Sequence, residues 1–232
     1  EAYDIEPQRI HVVPHGVDER FSPGDAPEAV LAKLGVRDPF LLTVGTLQPR
    51  KNLGTVIDAF ERLVAAGEEL TLVVAGGAGW GERETAERIG RSPAADRIVL
   101  TGHVSDEELL ALYRGTRCFV FPSRYEGFGL PVLEAMAAGA PVVCSDRTSL
   151  PEVAGDAAML VSPDGIDQLA GAIHRVVSHE ALRRDLIDRG LARAAGFTWE
   201  TCADRTVAVY RAAIAGRMAR GRDRYPARPA AG

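Results

Sequence analysis

Short apolar runs alternate with longer amphipathic stretches along most of this chain. Continuous apolar runs are typical of strands buried on both faces, and amphipathic stretches between them are typical of covering helices. The alternation predicts an α/β fold, a Rossmann-like three-layer sandwich with a parallel sheet. The predicted strands are 9–13, 40–45, 70–75, 97–101, 117–121, 141–145 and 157–161. The predicted helices are 52–66, 82–91, 105–115, 130–138, 165–178, 180–194 and 199–215.

The order of these elements also predicts where a ligand would bind. Right-handed crossovers place the strand-to-helix loops at one edge of a parallel sheet, and ligands bind at that edge. The loops expected to meet there are 45–52, 76–81, 102–105, 122–130 and 146–150. They would bring together residues that are far apart in the sequence.

The 232 residues, 46% of them apolar, suffice for one large domain, predicted over residues 1–215. Residues 216–232 are rich in Arg, Gly, Pro and Ala, which predicts a disordered basic tail; weak contact with an acidic membrane surface is the alternative. The net charge of −5 argues against a nucleic-acid partner. The three cysteines, Cys118, Cys144 and Cys202, show no disulfide framework or zinc spacing. We expect a cytoplasmic protein with at most peripheral contact at the inner face of the cell membrane.

The most informative segment is FVFPSRYEGFGLPVLEAMAAG, residues 119–139. An apolar run ends, a loop carries Glu126, and glycines lead into Pro131, a residue type favoured at the first helical position. A helix start near Leu130 would point its unpaired N–H groups and its dipole at the glycine loop, which suits phosphate. Glu134 lies one turn inside that helix. A diphosphate with a hydroxyl-rich group at each end, as in a nucleotide-sugar, fits this arrangement.

A second candidate group follows the strand predicted at 40–45. Of the 27 lysines and arginines only two, Lys33 and Lys51, are lysines, yet Lys51 stands beside Arg50 in this loop. Lysine provides a compact point charge, which suits a phosphate oxygen. The alternative is a Lys51 that sits in solvent without a function.

Other interpretations of the same residues stay open at this point. The segment 119–139 fits the strand–loop–helix unit of any α/β domain, with Glu126 and Glu134 as solvated acids, because 32 acidic residues produce such a spacing by chance. Paired carboxylates also suggest glycoside hydrolysis, but these two lie on opposite sides of the phosphate loop rather than across one bond. The glycine run AGGAGWGE at 75–82 suggests a dinucleotide site, but it is not G-x-G-x-x-G and does not follow the first strand.

Several segments, in the same order along the chain, resemble retaining glycosyltransferase family 4, whose members have the GT-B fold. EGFGLPVLEAMAAGAPVV resembles the E-x7-E signature of the family. The other matching segments are VVPHGVDERFSP (12–23), which resembles the start of its C-terminal domain, LLTVGTLQPRKNL (41–53), its phosphate-binding loop, and LTGHVSDEELLALYRGTRCFVFPS (100–123), its base-binding region. The resemblance covers about residues 8–215 and implies the C-terminal, donor-binding half of a GT-B fold.

The resemblance implies roles for the phosphate and sugar contacts. Arg50 and Lys51 resemble the basic pair that grips the donor diphosphate and neutralises the leaving group. Glu126 resembles the acid near the hydroxyl groups of the donor sugar. Phosphate or sugar oxygens would be held by the backbone of the glycine loop, at Gly127, Phe128, Gly129 and Leu130, where glycine permits close approach.

The same resemblance implies contacts with the nucleoside. Glu134 resembles the acid that accepts hydrogen bonds from both ribose hydroxyls, for which a carboxylate has two oxygens. His103 and Val104 follow a strand where the backbone of the family meets the base; the alternative for His103 is a loop histidine without a role. Gly16 would line the cleft between the two domains. The family more often has Asn where His15 stands, which leaves the role of His15 open.

Together, motifs and resemblance imply a hexosyltransferase of the EC 2.4 class. It would move a hexose from a nucleotide-sugar to a glycan or lipid-linked acceptor with retention, without a bound metal or other cofactor. VGTLQPRKN resembles mannosyltransferase-like members used in bacterial polysaccharide assembly, which favours GDP-mannose as the donor. The alternative is a non-catalytic nucleotide-sugar-binding module or one subunit of a split enzyme.

The expected partner is the missing N-terminal GT-B domain, which would supply the acceptor site. The chain alone should therefore bind the nucleotide but transfer little or no sugar. In the family the last helix crosses to that domain, so the helix predicted at 199–215 should leave apolar surface exposed.

Overall fold

The computed structural model describes the backbone of residues 5–223 and the side chains of residues 5–215 except that of residue 8. The strands are β1 Phe40–Val44, β2 Thr71–Ala75, β3 Ile98–Gly102, β4 Cys118–Phe121, β5 Val142–Ser145 and β6 Ala158–Val161. The helices are α1 Glu28–Lys33, α2 Leu53–Ala65, α3 Glu82–Gly90, α4 Asp106–Gly115, α5 Leu130–Ala137, α6 Leu150–Ala154, α7 Ile166–Ser178, α8 Glu180–Ala194 and α9 Trp199–Asp223. Short 3-10 helices are formed by Pro7–Arg9, Pro49–Lys51 and Ala95–Arg97.

The six strands form one parallel sheet in the order β3-β2-β1-β4-β5-β6. The central strand β1 pairs with β2 from Phe40 opposite Thr71 onwards, and on its other side with β4 through Leu41 opposite Cys118. The chain first adds strands on one side of β1 and then returns to add the others on the opposite side. This reversal places a crevice between the loops after β1 and β4, where open α/β sheets bind ligands.

Burial explains why the strands are continuous apolar runs. β2, β4 and β5 are buried along their whole length, and β1 is buried from Phe40 to Thr43. β3 and β6, at the sheet edges, are mostly half-buried. On one face, Leu41 and Val120 belong to the core shared with α2 and α7. On the other, the Phe119 ring packs edge-on against Tyr113 of α4, with ring centroids 5.4 Å apart. The predicted α/β Rossmann-like class is confirmed.

Most predicted elements are present, and the exceptions have physical causes. Six of the seven predicted strands are observed, and each begins and ends within one residue of its predicted bounds. The strand predicted at 9–13 is wrong: Pro7–Arg9 forms a 3-10 helix, and the following residues pair with no strand in the described chain. An apolar run forms a strand only where its N–H and C=O groups find a partner strand. The short helices α1 and α6, of 6 and 5 residues, were not predicted, because so few residues show no apolar period.

The chain divides into two compact units. The larger, Val17–Gly196, contains the sheet and α1 to α8. The smaller combines the residues up to Gly16 with those from Phe197 onwards, and the domain predicted over 1–215 therefore spans both. Within the smaller unit, a Cβ on Gly16 would lie 2.2 Å from the backbone nitrogen of Trp199, so this position requires glycine.

Helix α9 is longer than predicted. It continues past residue 215 to Asp223, so the first part of the tail predicted at 216–232 is helical, and residues 224–232 lie outside the described residues. Four large apolar side chains of α9 are exposed, as expected for this helix: Trp199, Val207, Tyr210 and Ile214.

Within residues 5–223, no helix combines the length and apolar character that crossing a membrane requires.

Candidate functional site

The candidate site is built on the loops after β1 and β4, which are neighbours in the sheet. After β1, the Gly45 amide donates to Ala75 O at 2.9 Å, and the chain then enters the 3-10 helix Pro49–Lys51. After β4, the loop 122–129 leads into α5. The turn that carries Arg50 and Lys51 is therefore held at the crevice by the order of the strands.

Hydrogen bonds of Arg50 join these two loops. Its carbonyl oxygen accepts from the Arg124 amide at 2.8 Å and lies 2.9 Å from Ser123 Oγ. Its guanidinium donates to Tyr125 O at 3.1 Å and to Gln48 Oε1 at 3.0 Å. Loops that are about 75 positions apart in sequence thus form one continuous wall of the site.

Three donors converge on one oxygen of Glu126. Its Oε1 lies 2.8 Å from Lys51 Nζ, 2.9 Å from Arg50 Nη1 and 2.7 Å from Ser123 Oγ. The side chains of Glu126 and Lys51 are only 10% and 14% exposed, whereas that of Arg50 is 43% exposed. Lys51 Nζ also lies 4.7 Å from the centroid of the Phe121 ring. The alternative of a Lys51 in solvent is therefore wrong.

Glu126 carries a negative charge at neutral pH. Burial raises the pKa of its carboxyl group, but hydrogen bonds from Lys51, Ser123 and Arg50 and the charge of Lys51 outweigh burial, so the pKa lies below its ordinary value. Two cations face one carboxylate, which leaves one positive charge uncompensated within the group. This excess suits an anionic ligand that reaches the exposed guanidinium of Arg50.

The loop after Glu126 ends at the amino terminus of α5. Gly129 has a φ of 114°, and a Cβ there would lie 2.6 Å from Leu150 Cδ2, so this position requires glycine. No side chain caps the helix, and the amides of Gly129 and Leu130 donate to no other residue of the described chain. Unpaired amides at a helix start favour a bound anion.

The loop after β5 fixes the backbone of the glycine loop. The Glu126 amide donates to Thr148 Oγ1 at 3.1 Å, and Ser149 Oγ donates to Phe128 O at 2.7 Å and also lies 3.0 Å from Glu126 O. Gly127, between these contacts, is exposed. Glu126 is thus positioned by its backbone as well as by its ion pairs.

Glu134 lies in the second turn of α5 and is half-buried. The hydroxyl of the fully buried Tyr113 donates to Glu134 Oε2 at 3.1 Å. Burial raises the pKa of Glu134 above its ordinary value and outweighs the hydrogen bond from Tyr113, which lowers it. One oxygen of Glu134 is therefore held in place, and Oε1 accepts no hydrogen bond from the described residues.

The remaining predicted residues lie apart from this group. His103 is exposed and Val104 half-buried just after β3, which β2 separates from β1. Among the described residues, no hydrogen bond links His103 to Lys51 or Glu126. Gly16 belongs to the smaller unit. The base-binding role of His103 and Val104 and the cleft-lining role of Gly16 stay predictions.

Three residues of the site were not singled out from the sequence: Ser123, Asn52 and Tyr113. Ser123 and Asn52 each stand near a candidate residue in the sequence, which was the available signal. Tyr113 lies 21 positions before Glu134 in another helix, and nothing in the sequence connects the two.

Two hollows adjoin the turn Pro49–Lys51. One of about 20 Å³ is lined by Gly45, Lys51 and neighbouring residues. The other, of about 380 Å³, lies between this turn and the helices α2 and α3. Within the described part of the chain, no three His, Cys, Asp or Glu side chains are grouped so that they could hold a metal ion. The expectation of a reaction without a metal stays a prediction.

Comparison with known proteins identifies the family. The sequence matches the family described as Glycosyl transferases group 1 over residues 31–193. The O-antigen chain mannosyltransferase B of Escherichia coli is 39% identical over 74% of this chain and 45% of its own length. The MMP alpha-(1->4)-mannosyltransferase of Mycolicibacterium hassiacum is 35% identical over 92% of this chain and 51% of its own length.

Solved structures agree with this result. Sucrose-phosphate synthase from Thermosynechococcus elongatus superposes with a TM-score of 0.77 at 28% identity, over 89% of this chain and 53% of its own. The C-terminal domain of a glycosyl transferase group 1 family protein from Francisella tularensis has the same fold, with a TM-score of 0.69 at 24% identity, over 78% of this chain and 97% of its own.

Fold and sheet order define a Rossmann-like domain of the type that forms the C-terminal half of GT-B proteins. The chain belongs to the glycosyl transferases group 1, which confirms the resemblance found in the motifs. It spans about half the length of these two curated relatives, 45% of one and 51% of the other.

Proposed function

We propose that this chain is the donor-binding domain of a hexosyltransferase that moves a hexose from a nucleotide-sugar to a glycan or lipid-linked acceptor with retention. The observation that carries the proposal is the group of Lys51, Arg50 and Glu126 beside the crevice of the sheet. The uncapped start of α5 follows Glu126 on the same loop. Family membership supports the reaction class.

In this proposal the diphosphate of the donor binds Lys51, Arg50 and the amides of Gly129 and Leu130. As the bond from sugar C1 to the phosphate oxygen breaks, its electron pair moves to the phosphate, and the two cations stabilise that charge. Because Lys51 is nearly buried and Arg50 is half-exposed, Lys51 would act as a fixed charge and Arg50 as the group that closes on the ligand.

The two acids would bind the two ends of the donor. The ion pairs of Glu126 with Lys51 and Arg50 are formed at Oε1, and Oε2, which accepts no hydrogen bond from the described residues, would accept one from a sugar hydroxyl. Glu134 would accept hydrogen bonds from the ribose diol, with its orientation set by Tyr113. The peptide groups after β3, at His103 and Val104, would contact the base.

Mannose is the sugar that the relatives support. Both curated relatives described above are mannosyltransferases by name, one of them of the O-antigen chain. We therefore propose GDP-mannose as the donor and polysaccharide assembly as the process. The relatives are about twice as long as the matched region, which supports a partner N-terminal domain that supplies the acceptor site. Alone, the chain would bind donor nucleotide but transfer little or no sugar.

Calorimetric titration with GDP and with UDP tests the donor site. The double variant Arg50→Ala/Lys51→Ala should bind the preferred nucleotide roughly 100-fold more weakly, since a hydrogen bond to a charged group contributes about 1.5–3 kcal/mol and about 1.4 kcal/mol is tenfold. The control Arg97→Ala/Arg175→Ala removes the same charge near the opposite edge of the sheet, just before β3 and in the last turn of α7, and should bind normally. Equal affinities of the two double variants would refute the phosphate assignment.

A sugar-transfer assay separates the enzyme domain from a non-catalytic module. The chain is extended to the length of its relatives with its own upstream sequence, and transfer from GDP-[14C]mannose to a lipid-linked acceptor is measured. Transfer that appears only in the extended chain supports the donor-binding domain. A nucleotide-binding extended chain without transfer from GDP-mannose or UDP-glucose would favour the non-catalytic module.

A further inference from the structure

Asn52, directly after Lys51, is held in a rare conformation. Its φ of 59° and ψ of 37° lie in the left-handed region, which only Asn52 and Thr148 adopt among the described residues other than glycine. The residue is 7% exposed and stands at the N-cap position of α2. A side chain at this position ordinarily caps its own helix, but that of Asn52 makes no cap hydrogen bond.

The side-chain amide of Asn52 binds two other loops instead. Its Nδ2 donates to Pro122 O at 3.1 Å and to Pro163 O at 2.7 Å, and its Oδ1 accepts from Thr55 Oγ1 at 2.9 Å. Pro122 begins the loop after β4, and Pro163 lies in the loop after β6. One buried amide therefore links the loops after β1, β4 and β6.

The chemistry of these contacts requires an amide. Two carbonyl oxygens need two donors and the Thr55 hydroxyl needs an acceptor, which a side chain as short as Asn supplies from a single group. An ionised Asp has the same shape but no donors, and it would place a buried charge against two carbonyl oxygens. Glycine would adopt the backbone conformation without strain but would lose all three hydrogen bonds.

The hydrogen bonds of Asn52 are made close to both segments that contribute to the ion pairs of Lys51, Arg50 and Glu126. Lys51 immediately precedes Asn52, whereas Ser123, which also contacts Glu126 Oε1, immediately follows Pro122. The separation of the Lys51 turn and the loop after β4 is thus set by a contact one residue away from Lys51 and one residue away from Ser123.

We infer that Asn52 is a positioning residue for the donor diphosphate. It holds the Pro49–Lys51 turn against the loop after β4, so that Lys51 and the backbone of Arg50 are in place before the ligand binds. This inference rests on the proposed function, because it assumes that these two cations bind the diphosphate. In this inference Asn52 does not touch the ligand and acts through Arg50 and Lys51. A positioning role therefore predicts that the effect of Asn52 on affinity depends on these two residues, whereas a general contribution to stability does not.

The test is a cycle of variants titrated with GDP and with UDP. Asn52→Gly should weaken binding of the preferred nucleotide about tenfold, and Asn52→Asp at least as much. In the Arg50→Ala/Lys51→Ala background, Asn52→Gly should change the affinity less than about twofold, because the residues through which it acts are gone. If Asn52→Asp does not fold, Asn52→Gly alone decides the outcome.

A matched control separates positioning from stability. Val176→Ala creates a cavity in α7, far along the helix from the loop after β6, and should lower the midpoint of urea unfolding without a change in affinity. Wild-type affinity in Asn52→Gly, the same loss in both backgrounds, or an equal loss in Val176→Ala would each overturn the inference. If Arg50→Ala/Lys51→Ala itself binds normally, the proposed function fails first; if it binds weakly and Asn52→Gly does not, only this inference fails.

Discussion

Replacement of Lys51 by Met leaves the buried carboxylate of Glu126 with one cation instead of two. Removal of one partner from a buried ion pair costs about 3–5 kcal/mol of unfolding free energy. Here Arg50 Nη1 and Ser123 Oγ stay on the same oxygen, at 2.9 and 2.7 Å, so the cost should lie at or below the lower end of that range. We expect Lys51→Met to destabilise the chain by about 2–3 kcal/mol in urea unfolding at neutral pH.

A double-mutant cycle isolates the pair. Glu126→Gln removes the charge but keeps an oxygen that accepts from Lys51, so it should cost about 1–2 kcal/mol. The double variant should be less destabilised than the sum of the two single variants, with a coupling of about 1–2 kcal/mol. Lys33→Met serves as the control, because the Lys33–Glu108 pair has the same 2.8 Å distance but a lysine that is 73% exposed. Its effect should be much smaller.

The dependence on pH follows from the lowered pKa of Glu126. A carboxyl group whose pKa is lower in the folded chain contributes stability above its unfolded pKa, and this contribution is lost as pH falls through the folded pKa. The difference in stability between wild type and Lys51→Met should therefore shrink in acid. A coupling below about 0.5 kcal/mol, or a difference that does not change with pH, would refute the reasoning.

Two further predictions concern α5 and its neighbours. Tyr113→Phe removes the hydrogen bond that lowers the pKa of Glu134, so the pKa rises further. As the pH is lowered, affinity for GDP should then begin to fall at a higher pH than in wild type, whereas affinity for 2′,3′-dideoxy-GDP, which lacks both hydroxyls, should show the same pH profile in both proteins. Identical pH profiles for GDP would contradict the ribose assignment. Gly129→Ala forces a Cβ to within 2.6 Å of Leu150 Cδ2 at a φ of 114° and should cost about 1–3 kcal/mol of stability. The control is Gly127→Ala, whose Cβ meets nothing within 4 Å and which should cost far less. Equal unfolding midpoints for the two variants would show that the turn at Gly129 is not constrained.

The sheet and most helices could be predicted because their signals are local. Buried strands leave continuous apolar runs, and long amphipathic helices repeat their apolar period several times. The run at 9–13 is also mostly apolar but forms no strand, because strand formation depends on a partner that composition does not reveal. The five-residue helix Leu150–Ala154 is too short to show a period, although its Leu150 constrains Gly129.

The part of the site that could be predicted from the sequence is the part that the strand order of the sheet determines. The order of the strands brings the loop of Lys51 to the loop of Glu126, and this followed from the parallel sheet alone. The links made by Asn52 and Tyr113 did not follow, because each depends on side-chain directions between segments that are 70, 111 and 21 positions apart. The sequence also did not show that the cations and Glu126 would pair with each other.

A crystal structure with GDP or UDP bound tests the donor site most directly. The account places the diphosphate within about 3 Å of Lys51 Nζ and the Leu130 amide, with the guanidinium of Arg50 turned towards it. A diphosphate bound elsewhere, with the contacts among Lys51, Arg50 and Glu126 unchanged, would contradict it.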